Sequence, residues 1–132
     1  MLADESRLKL VIAGCSHNKA RAFCERDCSA TLVPCRFDRA GDLVEQIEPI
    51  KSDIVVDATG PFQMYGDDPY RLVRAAISSN ADYLNLAYGS DFVLGIGELD
   101  ELAKSMGRFV LSGASACPAS TIAVVRELST NL

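Results

Sequence analysis

The chain has 132 residues, 48 % of them apolar and 23 % charged, with a formal net charge of −5. That is the size and composition of one ordinary globular domain, long enough to bury a core without staples, and residues 1–132 are read as a single domain. The acidic balance argues against a nucleic-acid binder, because phosphate backbones require a basic face, and no apolar run approaches the roughly 18 residues of a membrane span.

The start, MLADESRLKL, carries acids and no signal-like apolar region, so the chain is read as cytoplasmic. LKLVIAG (8–14) is a short, nearly continuous apolar run ending in glycine, read as a strand. NKARAFCERD (18–27) reads as a helix of moderate amphipathicity. ATLVPCRF (30–37) is a strand whose Pro34 points to an edge or a bulge. DLVEQIEPI (42–50) places Leu43, Ile47 and Ile50 on one helical face. DIVVDAT (53–59) is a strand with β-branched residues. YRLVRAAISSN (70–80) puts Leu72, Val73, Ala76 and Ile77 along one stripe, with Asn80 placed to cap the helix end. DYLNLA (82–87) is the next strand. ELDELAKSMG (98–107) spaces Leu99, Leu102, Ala103 and Met106 as a helix that stops at glycine. RFVLSGA (108–114) is the fifth strand, and PASTIAVVREL (118–128) opens a last helix with Pro118 in its first turn.

Five short apolar strands alternating with helices predict an α/β fold with a parallel sheet covered on both faces. Right-handed crossovers make it doubly wound, so ligands belong beyond the carboxyl ends of the strands. The residues there are Gly14-Cys15-Ser16, Asp38-Arg39, Thr59-Gly60-Pro61-Phe62, Asn85 to Gly89 and Ser112-Gly113-Ala114-Ser115. Gly60 allows a tight turn and a close ligand approach. Phe62 and Tyr65 either wall a pocket for a flat ring or pack on the core, and composition favours the core. The stretch SGASACPAST (112–121) either offers helix N-terminal N–H groups to an anion or is ordinary capping by Ser115 or Ser120.

Other chemistries have little support. His17 is the single histidine, with no orienting partner in sequence for hydrolytic work. Asp57 interrupts an apolar strand; a buried acid without partners is costly, so it is expected at the strand's end among backbone donors. The five cysteines, Cys15, Cys24, Cys28, Cys35 and Cys117, match no zinc spacing and are read as reduced thiols. Cys24, Cys28 and His17 fall short of a full ligand set, so no metal is expected. No G-x-G-x-x-G occurs, and GIGELD (95–100) follows no strand.

The segments LVIAGCSHNKARAF, VVDATGPFQMYG, ADYLNLA and FVLSGASACPAST occur in the order and spacing of the saccharopine dehydrogenase-like family, which the chain resembles over residues 8 to 128. The Gly-Pro-Phe-Gln element after the Val-Val-Asp-Ala-Thr strand is the most specific part. The resemblance implies the Rossmann-like, NAD(P)-binding half of an oxidoreductase. It places Gly14, Ser16 and Lys19 near the adenosine ribose and Asp38 near the adenine. Thr59, Gly60, Pro61 and Phe62 fall along the pyrophosphate and nicotinamide path, with Ser112 and Gly113 on the far side. Catalytic residues are not identified.

The departures matter as well. Seven residues precede Leu8, too few for the family's first strand and its glycine turn, so an incomplete doubly wound sheet of about five strands is expected. Cys15 stands where the family often has arginine, and Asn85 where aspartate is usual. Loss of the central strand leaves its two neighbours either paired with each other or in a split sheet, and unpaired edges invite a homo-oligomer. The expectation is a dinucleotide-binding-type domain with NAD or NADP bound weakly or not at all, inactive on its own. The alternative is a non-catalytic binding or assembly module on the same fold.

Overall fold

The computed structural model describes residues 5–62 and 65–130. Its elements are β1 (Lys9–Gly14), α1 (His17–Cys24), β2 (Thr31–Arg36), α2 (Leu43–Ile47), β3 (Ile54–Asp57), α3 (Arg71–Ser78), β4 (Asp82–Asn85), α4 (Ser90–Gly95), α5 (Asp100–Ser105), β5 (Val110–Leu111) and α6 (Ala116–Thr130). Five parallel strands thus alternate with helices, as the apolar runs require. The strands form two sheets, β1-β2 and β3-β4-β5. The strands 8–14 and 53–59, expected either to pair directly or to lie in a split sheet, fall in different sheets. The chain clusters into two compact units, Met1–Gln46 and Ile47–Leu132.

In the first unit, β1 and β2 pair without a break from Lys9↔Thr31 to Gly14↔Arg36. Pro34 sits opposite Ile12 in that unbroken register, so β2 carries its proline as an edge strand and not through a bulge. Ser16 caps α1 by accepting the Lys19 N–H (3.4 Å), and Asp42 caps α2 by accepting the Glu45 N–H (3.1 Å). Pro49 has no N–H to continue α2, and the chain tightens into a 3-10 turn over Glu48–Ile50.

The second unit is built on β3-β4-β5 in register, with Asp57 opposite Asn85 and Leu84 opposite Leu111. Its core is α3: Val73, Ala76 and Ile77 are fully buried, as the stripe predicts, and the helix packs on β4. Asn80 adopts a left-handed conformation (φ 61°), donating its N–H to the Ile77 carbonyl while Ala81 bonds back to Ala76. This is a Schellman closure, and it makes Asn80 the stop that the sequence indicates.

All three strands of this sheet are shorter than their apolar runs, for one reason. Side-chain acceptors take the N–H groups that would extend the ladder. Thr59 N–H turns to the Asp57 carboxylate (3.1 Å), Ala87 N–H to Asn85 Oδ1 (3.0 Å), Gly113 N–H to Asn85 Oδ1 (3.1 Å) and Phe109 N–H to Asp82 Oδ1 (3.0 Å). Expected strands over 53–59, 82–87 and 108–114 therefore end as Ile54–Asp57, Asp82–Asn85 and Val110–Leu111. The helix α4 has no counterpart in the periodicity reading, and α6 begins at Ala116, two residues before Pro118.

Candidate functional site

Two networks of side chains occupy the carboxyl ends of β3, β4 and β5, all within the second unit. The first is centred on Asp57, the last residue of β3 and only 3 % exposed. Its Oδ1 accepts the Thr59 N–H (3.1 Å) and the Thr59 hydroxyl (2.6 Å), and its Oδ2 accepts the Tyr83 hydroxyl (3.0 Å). The acid thus sits at the strand's end, as a costly buried carboxylate must, but two of its three donors here are hydroxyls. Thr59 Oγ1 also lies 2.9 Å from the Tyr65 hydroxyl, which donates to the Thr59 carbonyl. The turn after β3 is therefore held from both sides.

The second network is centred on Asn85, which is fully buried. Its Oδ1 accepts from Ala87 N–H (3.0 Å), Ser112 Oγ (3.0 Å) and Gly113 N–H (3.1 Å), while its carbonyl takes the Ala114 N–H (2.9 Å). One side chain ties the loop after β4 to the loop after β5. The three donors fix the amide orientation, because the Nδ2 end accepts nothing. Nδ2 itself has no partner among the described residues. The requirement here is for an acceptor oxygen, which an aspartate would also meet.

Phe62 is 5 % exposed and packs against Tyr65 (centroids 5.2 Å) and Phe92 (5.3 Å). Tyr70 joins the cluster at 5.0 Å from Phe92 and donates its hydroxyl to the Phe92 carbonyl (3.0 Å). Of the two uses considered for these aromatics, core packing describes Phe62. Periodicity did not single out Phe92, because α4 is one short turn-and-a-half after a glycine. The phenol of Tyr70 is pushed above its ordinary pKa by burial, with Glu98 and Asp91 adding like-charge opposition.

The peptide between Gly60 and Pro61 is cis. Among the described residues, a Cβ added at Gly60 would meet no atom within 4 Å, so on that side they leave the turn open. Gln63, the last member of the Gly-Pro-Phe-Gln element, lies outside the described residues.

The remaining predicted site residues belong to the first unit. Gly14 ends β1, and a Cβ there would also meet nothing within 4 Å among the described residues. Ser16 and Lys19 are joined by the cap of α1. Asp38 follows β2, its carboxylate accepting the Ala40 N–H (2.9 Å), its N–H bonded to Gln46 Oε1 (2.7 Å) and its carbonyl to Gln46 Nε2 (3.0 Å). Gly14, Ser16, Lys19 and Asp38 thus form one loop group, and Thr59, Gly60, Pro61, Phe62, Ser112 and Gly113 another.

Among the cysteines, Cys28 Sγ bonds the Ala30 carbonyl (3.5 Å) and Cys35 Sγ the Arg36 carbonyl (3.3 Å), and Cys15, Cys24, Cys28 and Cys35 are free thiols. The Cys117 side chain lies outside the described residues. A cavity of about 260 Å³ lies away from the strand carboxyl ends, beside the start of β5, lined by Asp100, Ala103, Lys104, Arg108 and Val110. Its Lys104 is held by Asp100 (2.6 Å) and Glu101 (3.5 Å), and Arg108 donates to the Asn80 carbonyl (3.3 Å).

No protein-family model matches the chain, and no curated protein matches it in sequence. No helix among the described residues is long and apolar enough to cross a membrane.

Proposed function

We propose that the chain is the dinucleotide-binding-type part of a saccharopine dehydrogenase-like oxidoreductase, inactive on its own. The observation that supports this most is the carboxyl edge of β3-β4-β5. An open turn at Gly60 sits there beside two buried networks that hold the neighbouring loops in place. Ligands of parallel α/β folds bind at such edges.

The fit to NAD or NADP is partial. Gly14 and Gly60 leave room for a ligand against the backbone. The chain has no G-x-G-x-x-G turn to supply the pyrophosphate with N–H donors, and Cys15 stands where a ribose phosphate would call for arginine. A bound nicotinamide would supply hydride chemistry. The chain's own contribution is positional: Thr59, Gly60 and Pro61 shape the turn, Phe62 supports it from the core side, and Ser112 and Gly113 hold the opposite loop. Weak binding follows from that donor set.

Calorimetric titration with NADPH and with NADH tests the reading. A micromolar dissociation constant for either supports it. No heat at millimolar ligand favours a second reading, a non-catalytic binding or assembly module. One observation favours that module: Asp57, the acid nearest the open turn, is buried and already accepts three hydrogen bonds, so it is poorly placed for proton transfer.

A further inference from the structure

We infer that the cavity beside the start of β5 is a binding site for a small organic monocarboxylate, held by the guanidinium of Arg108. It lies at the amino end of that strand, so it is separate from the carboxyl-edge turns and stands whether or not a dinucleotide binds there.

All of its lining comes from the second unit. Arg108 is set in place by the end of α5. Gly107 takes a left-handed backbone (φ 62°) and donates its N–H to the Lys104 carbonyl (3.0 Å), while the Arg108 N–H bonds back to the Ala103 carbonyl (2.9 Å). That Schellman closure fixes the point from which the Arg108 side chain departs.

The guanidinium is short of acceptors. Its Nη1 donates to the Asn80 carbonyl (3.3 Å) and lies 4.0 Å from the Asp82 carboxylate, whose Oδ1 already accepts the Phe109 N–H (3.0 Å). Nε is buried and has no partner among the described residues. A buried donor left unpaired on a cation is costly, and folded proteins keep few of them. Nε and Nη2 form the edge on which an arginine takes a carboxylate through two parallel bonds. Arg7 does so in this chain, with Nε 2.9 Å and Nη2 2.8 Å from the two oxygens of Glu5. In Arg108 the same edge meets no acceptor among the described residues.

The rest of the lining selects the ligand. Ile96, Ala103, Phe109 and Val110 give the cavity an apolar wall. Lys104 is bound to Asp100 (2.6 Å), so that pair adds no net charge, and the Asp100 carboxylate opposes a second negative charge on the ligand. A single open guanidinium edge beside an apolar wall fits a monoanion with a hydrocarbon body, not a phosphate dianion. The volume of about 260 Å³ holds a ligand of a few carbons and is too small for a nucleotide.

The test is NMR titration of the isotope-labelled full chain with butyrate, inorganic phosphate and butanol at constant ionic strength, in the wild type, Arg108→Gln and Gly97→Leu. Gly97 lines the cavity and an added Cβ there meets no atom within 4 Å among the described residues, so Gly97→Leu narrows the space without a clash at its root. Butyrate is expected to shift the Gly97, Arg108 and Val110 amides saturably, with a dissociation constant on the order of millimolar, as suits so small a ligand. Butanol and phosphate should bind at least tenfold more weakly, which separates carboxylate recognition from apolar filling and from simple charge. Arg108→Gln and Gly97→Leu should each weaken butyrate at least tenfold with unchanged far-UV circular dichroism. The ligand comparison in the wild type decides the matter even where a variant fails to fold. No saturable shift in the wild type, phosphate or butanol matching butyrate at these amides, or undiminished butyrate binding in a folded Arg108→Gln each overturns the proposal.

Discussion

At the scale of single residues, the second unit depends on two polar side chains that the apolar strands would reject if their partners were removed. Asn85 offers one oxygen to three donors, two of them buried backbone N–H groups. Replacing it with alanine strands all three at once. Asn85→Ala is expected to cost about 3 kcal/mol or more in urea unfolding, against about 1 kcal/mol for Ser112→Ala, which removes one ordinary hydrogen bond. Tyr70 gives a pH-dependent signature. Its phenol is raised by burial and by Glu98 and Asp91, so the folded state holds the proton that the unfolded state releases first. The stabilisation is fully present below the unfolded value near pH ~10 and is lost as pH rises through the folded one. Urea midpoints measured across that alkaline range should fall more steeply for the wild type than for Tyr70→Phe.

At the scale of elements, helix ends and helix contacts make the sharpest expectations. Asn80 closes α3 with a left-handed backbone, so Asn80→Ala should cost about 1 kcal/mol while Asn80→Gly is neutral or slightly stabilising, as read by thermal unfolding. In α4 the position that tolerates no side chain is Gly95, whose added Cβ would lie 2.3 Å from the Tyr70 hydroxyl oxygen. Gly95→Ala should therefore destabilise by roughly 1–3 kcal/mol even though alanine favours helices. The cost should largely vanish in a Tyr70→Phe background, where the nearest ring carbon is 3.4 Å away. A double-mutant cycle showing additive losses would refute this contact.

At the scale of the whole molecule, the two units differ in how much they bury. The second contains Val73, Ala76, Ile77, Ala81 and Asn85 at 0 % exposure, whereas the buried apolar residues of the first are Ala20, Ala30 and Leu43 among those described. A two-stranded sheet with so small a core opens easily. Hydrogen exchange should show the amides of β4 and α3 protected longest and those of β1 and β2 exchanging through cheaper, local openings. Equal protection in both units would contradict this.

The sequence by itself determined the alternation of strands and helices, the parallel class, the core stripe of α3 and its stop at Asn80, because 2.0- and 3.6-residue periods and left-handed caps are local properties. Asp57 at a strand end was legible too, since a lone acid in an apolar run has few affordable positions. Tertiary structure decided the rest. Which donors reach Asp57 and Asn85 depends on cross-strand register, so the early ends of all three strands could not be read from their apolar runs. The use of Phe62 as core depended on Phe92, which is 30 positions away in the chain. The split of the strands into two sheets follows from which edges find partners in space, and no local pattern records that.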